Sequence, residues 1–206
     1  MNKTLILHDL SLLKTQSFID GEWISSDTGH TLAVKNPANG AVIVDMTKCG
    51  ATEAKRMIRA ASAAQKLWAK TNPKDRSKLM RKWYNLVIDN KEDLAQIITA
   101  EQGKPLAEAR AEVVYGANYI EWFAEEAKRI YGDLIPEPTN DRKLFVIKQP
   151  IGVVACITPW NFPCAMLARK IAPALAAGCT VVCKPASETP LSAMALVALA
   201  ERAGIP

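Results

Sequence analysis

The stretch IGVVACITPWNFPCAMLARKIAPALAAGCTVVCKP, residues 151–185, decides the fold of this chain. An apolar run is followed by a proline-flanked turn, an alanine-rich helical segment and a second apolar run, which is the order of a βαβ unit. Strands joined in this way are parallel, so the turn with Asn161 and the exit with Lys184 lie at one edge of the sheet. We therefore predict an α/β fold whose ligand crevice lies between these two segments.

Composition places the chain among globular proteins. It has 206 residues, 49% of them hydrophobic and 23% charged, and a formal net charge of +5. Basic and acidic residues are interspersed, as in residues 109–129, and no basic stripe with interleaved aromatics is visible, so we expect no nucleic-acid partner. No apolar run reaches the roughly 18 residues of a membrane span. His8 and Asp9 interrupt the N-terminal apolar segment, so we expect no membrane partner and a cytoplasmic location.

The five cysteines and two histidines form no metal-ligand spacing, so we expect no metal. Cys179 and Cys183 are four residues apart on a predicted strand, which separates them by about 13 Å, too far to share one ion. An odd number of cysteines without a framework indicates a reducing compartment. We interpret the cysteines as small core residues.

The chain divides into three predicted parts. Residues 1–135 contain short β segments, separated by Asp-Gly, Thr-Gly and Asn-Gly hairpin signals, and then several amphipathic helices. Residues 136–150 are predicted to be a linker or protruding ribbon, and residues 151–206 the first βαβα unit, whose last helix is capped by Thr189. The chain stops at Pro206, where the next strand of an alternating series would begin, so we expect the sheet to be incomplete.

A long helix is predicted from about Leu106 to Arg129, with an apolar stripe on one face. It also carries a cluster of aromatic residues: Tyr115, Tyr119, Trp122 and Phe123. At this spacing we interpret the cluster as helix-packing core, and a ligand-binding box is the alternative.

Several motifs resemble the aldehyde dehydrogenase superfamily. The motif ITPWNFP is followed by LAAGCTVVCKPAS, and EWISSDTG, NPANG, EQGKPLAEA and VIKQPIGV stand in the expected order. Within the superfamily the chain is most similar to succinate-semialdehyde dehydrogenases, with glutarate-semialdehyde dehydrogenases as close relatives. The resemblance implies a Rossmann-like cofactor-binding domain, here incomplete, with flanking helices.

The resemblance also implies a reaction. A cysteine thiolate attacks the aldehyde, hydride passes to a nicotinamide, and a glutamate activates the water that hydrolyses the thioester. By this comparison the nucleophilic cysteine, the catalytic glutamate and the glycine-bearing pyrophosphate turn lie beyond the end of this chain. We therefore expect residues 1–206 to be an N-terminal fragment that is inactive alone.

Asn161 is the catalytic candidate within the chain. In the resembled enzymes this asparagine donates its side-chain N–H to the developing oxyanion, a contribution of roughly 3 kcal/mol for such donors. The alternative is a turn asparagine that bonds its own backbone. Cys164 is close by at the opening of a helix, where the dipole could lower its pKa, but the resemblance makes it a packing residue, and we do not predict it as nucleophile.

The resemblance places the cofactor along the two strand exits. Lys184 corresponds to the family lysine that bonds the adenosine ribose, and Ser187 stands where NAD-preferring relatives have a glutamate. A serine leaves room for a 2′-phosphate, so we expect NADP with NAD possible, although Glu188 next door is a counter-argument. The implied cofactor-binding residues are Ile157, Thr158, Trp160, Asn161, Lys184, Ala186 and Ser187. Packing is the alternative role of Trp160.

Arg169 is the substrate-binding candidate. It is a cation on a segment made mostly of Ala, Met, Leu and Ile, eight residues after Asn161. In the resembled semialdehyde dehydrogenases an arginine at this position grips the distal carboxylate, for which a guanidinium fork is suited. This narrows the expected reaction to oxidation of succinate semialdehyde to succinate. A surface arginine beside Lys170 is the alternative.

Three hypotheses follow. The first is the N-terminal part of an NADP-dependent semialdehyde dehydrogenase that forms a homodimer or homotetramer. The second is a non-catalytic dinucleotide-binding or oligomer-interface module. The third is an aldehyde dehydrogenase for another substrate, such as glutarate semialdehyde or betaine aldehyde.

Overall fold

The computed structural model describes residues 5–206 and shows a mixed α/β architecture. The strands are β1 (Ser17–Ile19), β2 (Glu22–Ile24), β3 (Thr31–Lys35), β4 (Val42–Thr47), β5 (Asp133–Ile135), β6 (Leu144–Val146), β7 (Val153–Ile157) and β8 (Thr180–Lys184). The α-helices are α1 (Ala51–Trp68), α2 (Pro73–Asp89), α3 (Lys91–Gln102), α4 (Leu106–Glu126), α5 (Pro163–Ala176) and α6 (Leu191–Ala203). Short 3₁₀ turns occupy Leu10–Leu12 and Ala127–Arg129.

The N-terminal β segments form two separate antiparallel hairpins. The Asp20-Gly21 turn joins β1 to β2 with φ angles of 54° and 80°, in the left-handed region that such tight turns require. Asn39-Gly40 lies in the turn between β3 and β4. The prediction that Thr28-Gly29 forms a hairpin turn was wrong. These residues connect β2 to β3, which do not pair with each other, since β2 pairs with β1 and β3 pairs with β4.

Helices α2 and α4 bury the apolar faces that their periodicity predicts. The α4 stripe of Ala109, Val113, Ala117, Ile120 and Ala124 is fully buried, and so are Met80, Trp83 and Val87 of α2. The backbones of α4 and α5 approach closely at Gly116, where an added Cβ would lie 3.2 Å from Cα of Ala165. This contact fixes α5, and therefore the turn that precedes it, against α4.

Residues 153–184 form the predicted βαβ unit, with β7 and β8 as parallel neighbours. These are the two parallel strands among the described residues, which agrees with an incomplete Rossmann-like sheet flanked by helices. The prediction that Cys179 and Cys183 share one strand was wrong, because Cys179 lies just before β8. Cys183 is on β8 and pairs with Cys156 on β7. Cys156, Cys164 and Cys179 are buried, as expected of core residues.

A ribbon of two short strands protrudes between α4 and the βαβ unit. Strand β5 pairs with β6 in antiparallel register, and both strands are exposed along their whole length. The ribbon begins at residue 133, a few residues before the predicted boundary at residue 136. The division into 1–135, 136–150 and 151–206 remains a prediction.

Candidate functional site

The ends of β7 and β8 meet at one edge of the parallel sheet. Ile157 pairs with Lys184 in the strand register, and the backbone N–H of Thr158 donates to the carbonyl of Lys184 at 3.2 Å. The turn that follows β7 and the loop that follows β8 therefore start side by side. This juxtaposition is the arrangement that the βαβ pattern predicts.

The first corner of the site is the turn between β7 and α5. Asn161 is exposed, and its side-chain amide makes no hydrogen bond to any described residue. The amide is therefore free to donate to a ligand, and it does not close its own turn. Trp160 is also exposed and not packed in the core, whereas Thr158 is buried and its hydroxyl lacks a partner among the described residues.

A buried glutamate closes the N-terminus of α5. One carboxylate oxygen of Glu112 on α4 accepts the backbone N–H groups of Cys164 and Ala165 at 2.9 and 3.2 Å. The other oxygen lies 2.5 Å from Nζ of Lys104. Carboxylate and helix dipole attract each other in this geometry.

The thiol of Cys164 is unsuited to nucleophilic attack. The side chain is fully buried, and burial together with the carboxylates of Glu112 and Glu101 raises its pKa far above the ordinary value. The position of Cys164 at the start of α5 does not lower its pKa, because burial and the nearby carboxylates act in the opposite direction. This environment fits the interpretation of Cys164 as a packing residue.

The second corner is the loop between β8 and α6. Lys184, Ser187 and Glu188 are exposed, and Nζ of Lys184 lies 3.4 Å from the carbonyl oxygen of Pro185. The side chains of Lys184 and Ser187 are thus available to a ligand. Glu188 is exposed as well and follows Ser187 directly in sequence, so the counter-argument to NADP that this acidic residue provides still applies.

The expected Thr189 cap on α6 is absent. The helix begins at Leu191, and the Thr189 hydroxyl is buried without a partner among the described residues. Glu101 of α3 caps the helix instead, since its two carboxylate oxygens accept the backbone N–H groups of Leu191 and Ser192 at 2.7 and 2.8 Å. Burial raises the pKa of Glu101 to about 7, although these hydrogen bonds act in the opposite direction.

A cavity of about 800 Å³ adjoins the second corner. Its wall includes Lys184, Ala186 and Ser187 and the apolar side chains of α1 and α6. Ile157, Thr158, Trp160 and Asn161 are outside its lining. The structure thus brings both corners to one sheet edge, but it encloses only the β8 side in a cavity.

Arg169 lies near two tyrosines of α4. The hydroxyl groups of Tyr115 and Tyr119 are 2.6 Å apart, and this hydrogen bond raises the pKa of Tyr115, while the adjacent Arg169 acts to lower it. Tyr115 and Trp122 are 48% and 64% exposed, so the prediction that the aromatic cluster is core was wrong for them. The α4 surface beside Arg169 can therefore face a ligand.

Sequence reasoning missed three charged residues at the two corners: Glu101, Lys104 and Glu112. All three lie in or just after EQGKPLAEA, which carried the family resemblance but no predicted role. The available signal was their spacing, because 101 and 112 occur among buried positions of α3 and α4. Their contacts with the Asn161 turn and with the two helix N-termini join residues 52 to 91 positions apart, so these contacts required the tertiary structure.

Among residues 5–206, no group of three or more His, Cys, Asp or Glu side chains is arranged to hold a metal ion. Within the same range no helix is long and apolar enough to cross a membrane.

The strand exits, the exposed asparagine and the helix packing define an α/β protein whose candidate ligand site lies at the carboxyl edge of its parallel sheet. Residues 23–206 match the aldehyde dehydrogenase family, and the chain belongs to this family. It spans about two fifths of the length of the curated relatives that it matches.

Three curated relatives cover nearly the whole chain. A 3-sulfolactaldehyde dehydrogenase of Pseudomonas putida is 59% identical over 98% of this chain and 42% of its own length. A glutarate-semialdehyde dehydrogenase of Pseudomonas putida is 58% identical over 97% of this chain and 42% of its own length. The NADP(+) succinate-semialdehyde dehydrogenase of Escherichia coli is 54% identical, with coverages of 97% and 42%.

Solved structures agree with this assignment. An aldehyde dehydrogenase from Brucella melitensis superposes with a TM-score of 0.97 at 55% identity, over 98% of this chain and 42% of its own. An NADP-dependent enzyme of E. coli gives 0.97 at 54% identity over the same shares. A betaine aldehyde dehydrogenase from Staphylococcus aureus in complex with NAD+ gives 0.92 at 36% identity, over 96% and 40%.

Proposed function

We propose that this chain forms the N-terminal, cofactor-binding part of an NADP-dependent aldehyde dehydrogenase for a short aldehyde with a distal acid group. The observation that carries the proposal is the pairing of Ile157 with Lys184, because it starts the asparagine turn and the Lys-Pro-Ala-Ser exit at one sheet edge. We propose a cytoplasmic location, as the sequence led us to expect.

The second corner fits the adenosine end of a dinucleotide. Lys184 offers an exposed ammonium group, Ser187 offers a hydroxyl that can donate or accept, and a cavity adjoins both. The E. coli relative is named for NADP(+), which favours this cofactor, whereas the NAD+ complex of the betaine aldehyde dehydrogenase keeps NAD as an alternative.

The N-termini of α5 and α6 already hold carboxylates, which would compete with the phosphates of the cofactor. In many α/β proteins phosphates bind at the N-terminus of a helix that follows a strand. Here Glu112 and Glu101 occupy the first-turn amides of α5 and α6, and each brings a carboxyl group. We therefore expect the pyrophosphate to contact other residues of the complete enzyme.

The first corner fits the reacting end of the substrate. When bound, the nicotinamide accepts hydride from the aldehyde carbon. Asn161 holds a carboxamide N–H free of partners among the described residues, and this donor would stabilise negative charge on the substrate oxygen. Ile157 and Trp160, both exposed, would form the wall on the nicotinamide side.

The substrate class rests on Arg169. The three relatives are named for aldehydes that carry an anionic sulfonate or carboxylate group away from the aldehyde. A guanidinium binds either anion through paired hydrogen bonds. Tyr115 and Tyr119 lie beside Arg169, and because one of their hydroxyls donates to the other, one O–H group is left to donate to a ligand.

We also propose that the enzyme is a homodimer or homotetramer that associates through the ribbon. Leu134, Phe145 and Ile147 are 66%, 72% and 72% exposed on this projecting element. An exposed apolar ribbon with free strand edges is suited to pairing with a second copy.

The test is a chimera that joins residues 1–206 to the remaining C-terminal part of the E. coli succinate-semialdehyde dehydrogenase. We expect it to reduce NADP+ in the presence of succinate semialdehyde, measured as NADPH absorbance, with the unmodified E. coli enzyme as the positive control. A folded chimera that shows no aldehyde-dependent reduction would contradict the proposal. If it does not fold, the C-terminal part of the P. putida glutarate-semialdehyde dehydrogenase provides a second chimera.

In the active chimera, Arg169→Ala tests the substrate class. We expect kcat/KM for succinate semialdehyde to fall about 100-fold, while an uncharged aldehyde such as butanal loses less than about 3-fold, because the lost guanidinium paired only with the distal acid. Lys170→Ala next to it is the matched control. Retention of the preference for carboxylated aldehydes in Arg169→Ala would show that the arginine has no such role.

A binding module without catalysis is the second candidate, favoured by the cavity beside Lys184 and Ser187. It requires that residues 1–206 alone bind NADPH, which calorimetry measures. If residues 1–206 bind NADPH tightly while the folded chimeras show no dehydrogenase activity, the binding module is favoured over the enzyme.

A further inference from the structure

A buried ion pair lies behind the asparagine turn. Nζ of Lys104, just after α3, is 2.5 Å from one carboxylate oxygen of Glu112 on α4. The two side chains are only 9% and 0% exposed. Neither residue belongs to the proposed cofactor or substrate contacts, so the pair calls for another explanation.

Each member of the pair holds one side of the turn. Nζ of Lys104 donates to the carbonyl oxygen of Asn161 at 3.0 Å and lies 4.0 Å from the ring centroid of Phe162. Glu112 accepts the backbone N–H groups of Cys164 and Ala165. The two residues of the ion pair therefore hydrogen-bond to the backbone both before and after Pro163.

Stability alone explains this arrangement poorly. Burying two charges costs several kcal/mol per ion, and the attraction between them often does no more than offset that cost. Apolar side chains of similar size would fill the same space without the penalty. The pair does provide directional contacts, and these fix the peptide planes on either side of the turn.

The side chain of Asn161 depends on this support. Because its carboxamide bonds no described residue, the backbone of Asn161 determines where the amide points. The contact from Lys104 to the Asn161 carbonyl holds the peptide between residues 161 and 162 in one orientation. A misplacement of about 1 Å in a catalytic donor can cost on the order of 100-fold in rate.

We propose that Lys104 and Glu112 are positioning residues that hold the Asn161 carboxamide where the substrate oxygen becomes negatively charged. This inference rests on the proposed function, since it assigns the pair a part in the aldehyde dehydrogenase reaction. Lys104 acts on Asn161 directly through its carbonyl. Glu112 acts by fixing Lys104 and the first turn of α5.

The test is Lys104→Met in the active chimera. We expect kcat to fall about 10- to 100-fold, with KM for NADP+ and for the aldehyde within about 2-fold, because the misplaced donor acts mainly in the transition state. Arg110→Met is the matched control, since it breaks the exposed pair that joins Arg110 of α4 to Glu92 of α3. It should leave kcat unchanged.

A double-mutant cycle separates positioning from a general structural effect. In an Asn161→Ala background, Lys104→Met should lower kcat less than about 2-fold further, because the group that it positions is gone. Losses that multiply, or a Lys104→Met variant with unchanged kcat, would overturn the inference. An inactive parent chimera would instead count against the proposed function before any variant is made.

Glu112→Gln provides a second test of the inference if the Lys104→Met variant does not fold. The glutamine keeps a carbonyl acceptor for the amides of Cys164 and Ala165 and removes the charge that fixes Lys104. We expect a folded variant with a kcat loss of about 10-fold. A folded Glu112→Gln enzyme with the kcat of the parent would overturn the inference as well.

Discussion

The two βα corners of the parallel sheet are built alike but differ in charge. In each corner a helix starts soon after a strand, and a buried glutamate accepts two backbone N–H groups of its first turn. At the α5 corner Lys104 neutralises Glu112. At the α6 corner Glu101 forms no ion pair with any described residue, and its pKa rises to about 7.

The difference separates two ways of closing a helix end. The ion pair at α5 fixes the backbone beside the exposed Asn161, and its charges balance each other. The carboxyl group at α6 depends on the two helix amides and on its own protonation. The first corner is thus suited to holding a donor in place, whereas the second is sensitive to pH.

The largest expected effect comes from removing the α5 cap. Glu112→Ala leaves the backbone N–H groups of Cys164 and Ala165 without an acceptor. It also leaves the buried Lys104 ammonium without its carboxylate partner. We expect the free energy of unfolding to drop by about 3 to 5 kcal/mol, the usual result of breaking one side of a buried pair. Urea unfolding of the chain measures it.

Glu92→Ala provides the control for this prediction, because the Glu92–Arg110 pair is exposed on both sides. Its loss should cost less than about 1 kcal/mol. Equal losses in the two variants would show that burial of the Lys104–Glu112 pair has no special consequence.

The pH dependence of stability tests the α6 cap. Since the pKa of Glu101 is raised from 4.5 to about 7 on folding, the folded state binds more protons than the unfolded state between these values. Stability therefore falls as pH rises from about 4.5 to 7 and is level above that range. The full change is on the order of 3 kcal/mol.

Glu101→Gln isolates this contribution, because glutamine does not titrate. We expect the stability difference between the parent and this variant to shift against the parent as pH increases from 4.5 to 7.5, measured by urea unfolding at each pH. A difference independent of pH would mean that folding does not change the pKa of Glu101.

A smaller effect is expected at the exposed part of the α6 corner. In the active chimera, Ser187→Glu should reduce the ratio of kcat/KM for NADP+ to that for NAD+ about 10-fold or more, because the new carboxylate repels a 2′-phosphate. Glu188→Gln, which removes the adjacent charge, is the comparison. If Glu188→Gln changes the ratio of kcat/KM for NADP+ to that for NAD+ and Ser187→Glu does not, then Glu188, and not Ser187, sets the cofactor preference.

The sequence predicted the backbone of both corners but not what supports them. Apolar periodicity and the proline-flanked turn sufficed for the βαβ unit, since these signals act within about 35 residues of chain. The contact of Glu112 with Cys164 spans 52 positions and that of Glu101 with Leu191 spans 90. Helical spacing places positions 101 and 112 among the buried ones, but it does not say which backbone groups these glutamates bind.

The aromatic residues of α4 show a second limit. Tyr115 and Trp122 have the spacing of a packing face, yet they are exposed beside the buried stripe of Ala117 and Ile120. Periodicity identifies the buried face but not its width, and a helix of this length can carry large apolar groups on an open side.

The smallest expected effect concerns Thr189, where local sequence pointed to the wrong cap. A threonine before Pro190 has the composition of an N-cap, but Glu101 already holds the amides of Leu191 and Ser192, and the threonine hydroxyl is left buried without a described partner. Thr189→Val should therefore change the free energy of unfolding by less than about 1 kcal/mol, and it can be stabilising. Thr180→Val, which removes a 2.8 Å hydrogen bond to the Ala61 carbonyl, should cost about 1 kcal/mol more in the same urea titration. A larger loss at Thr189 than at Thr180 would restore the threonine as the cap of α6 and reduce the part assigned to Glu101.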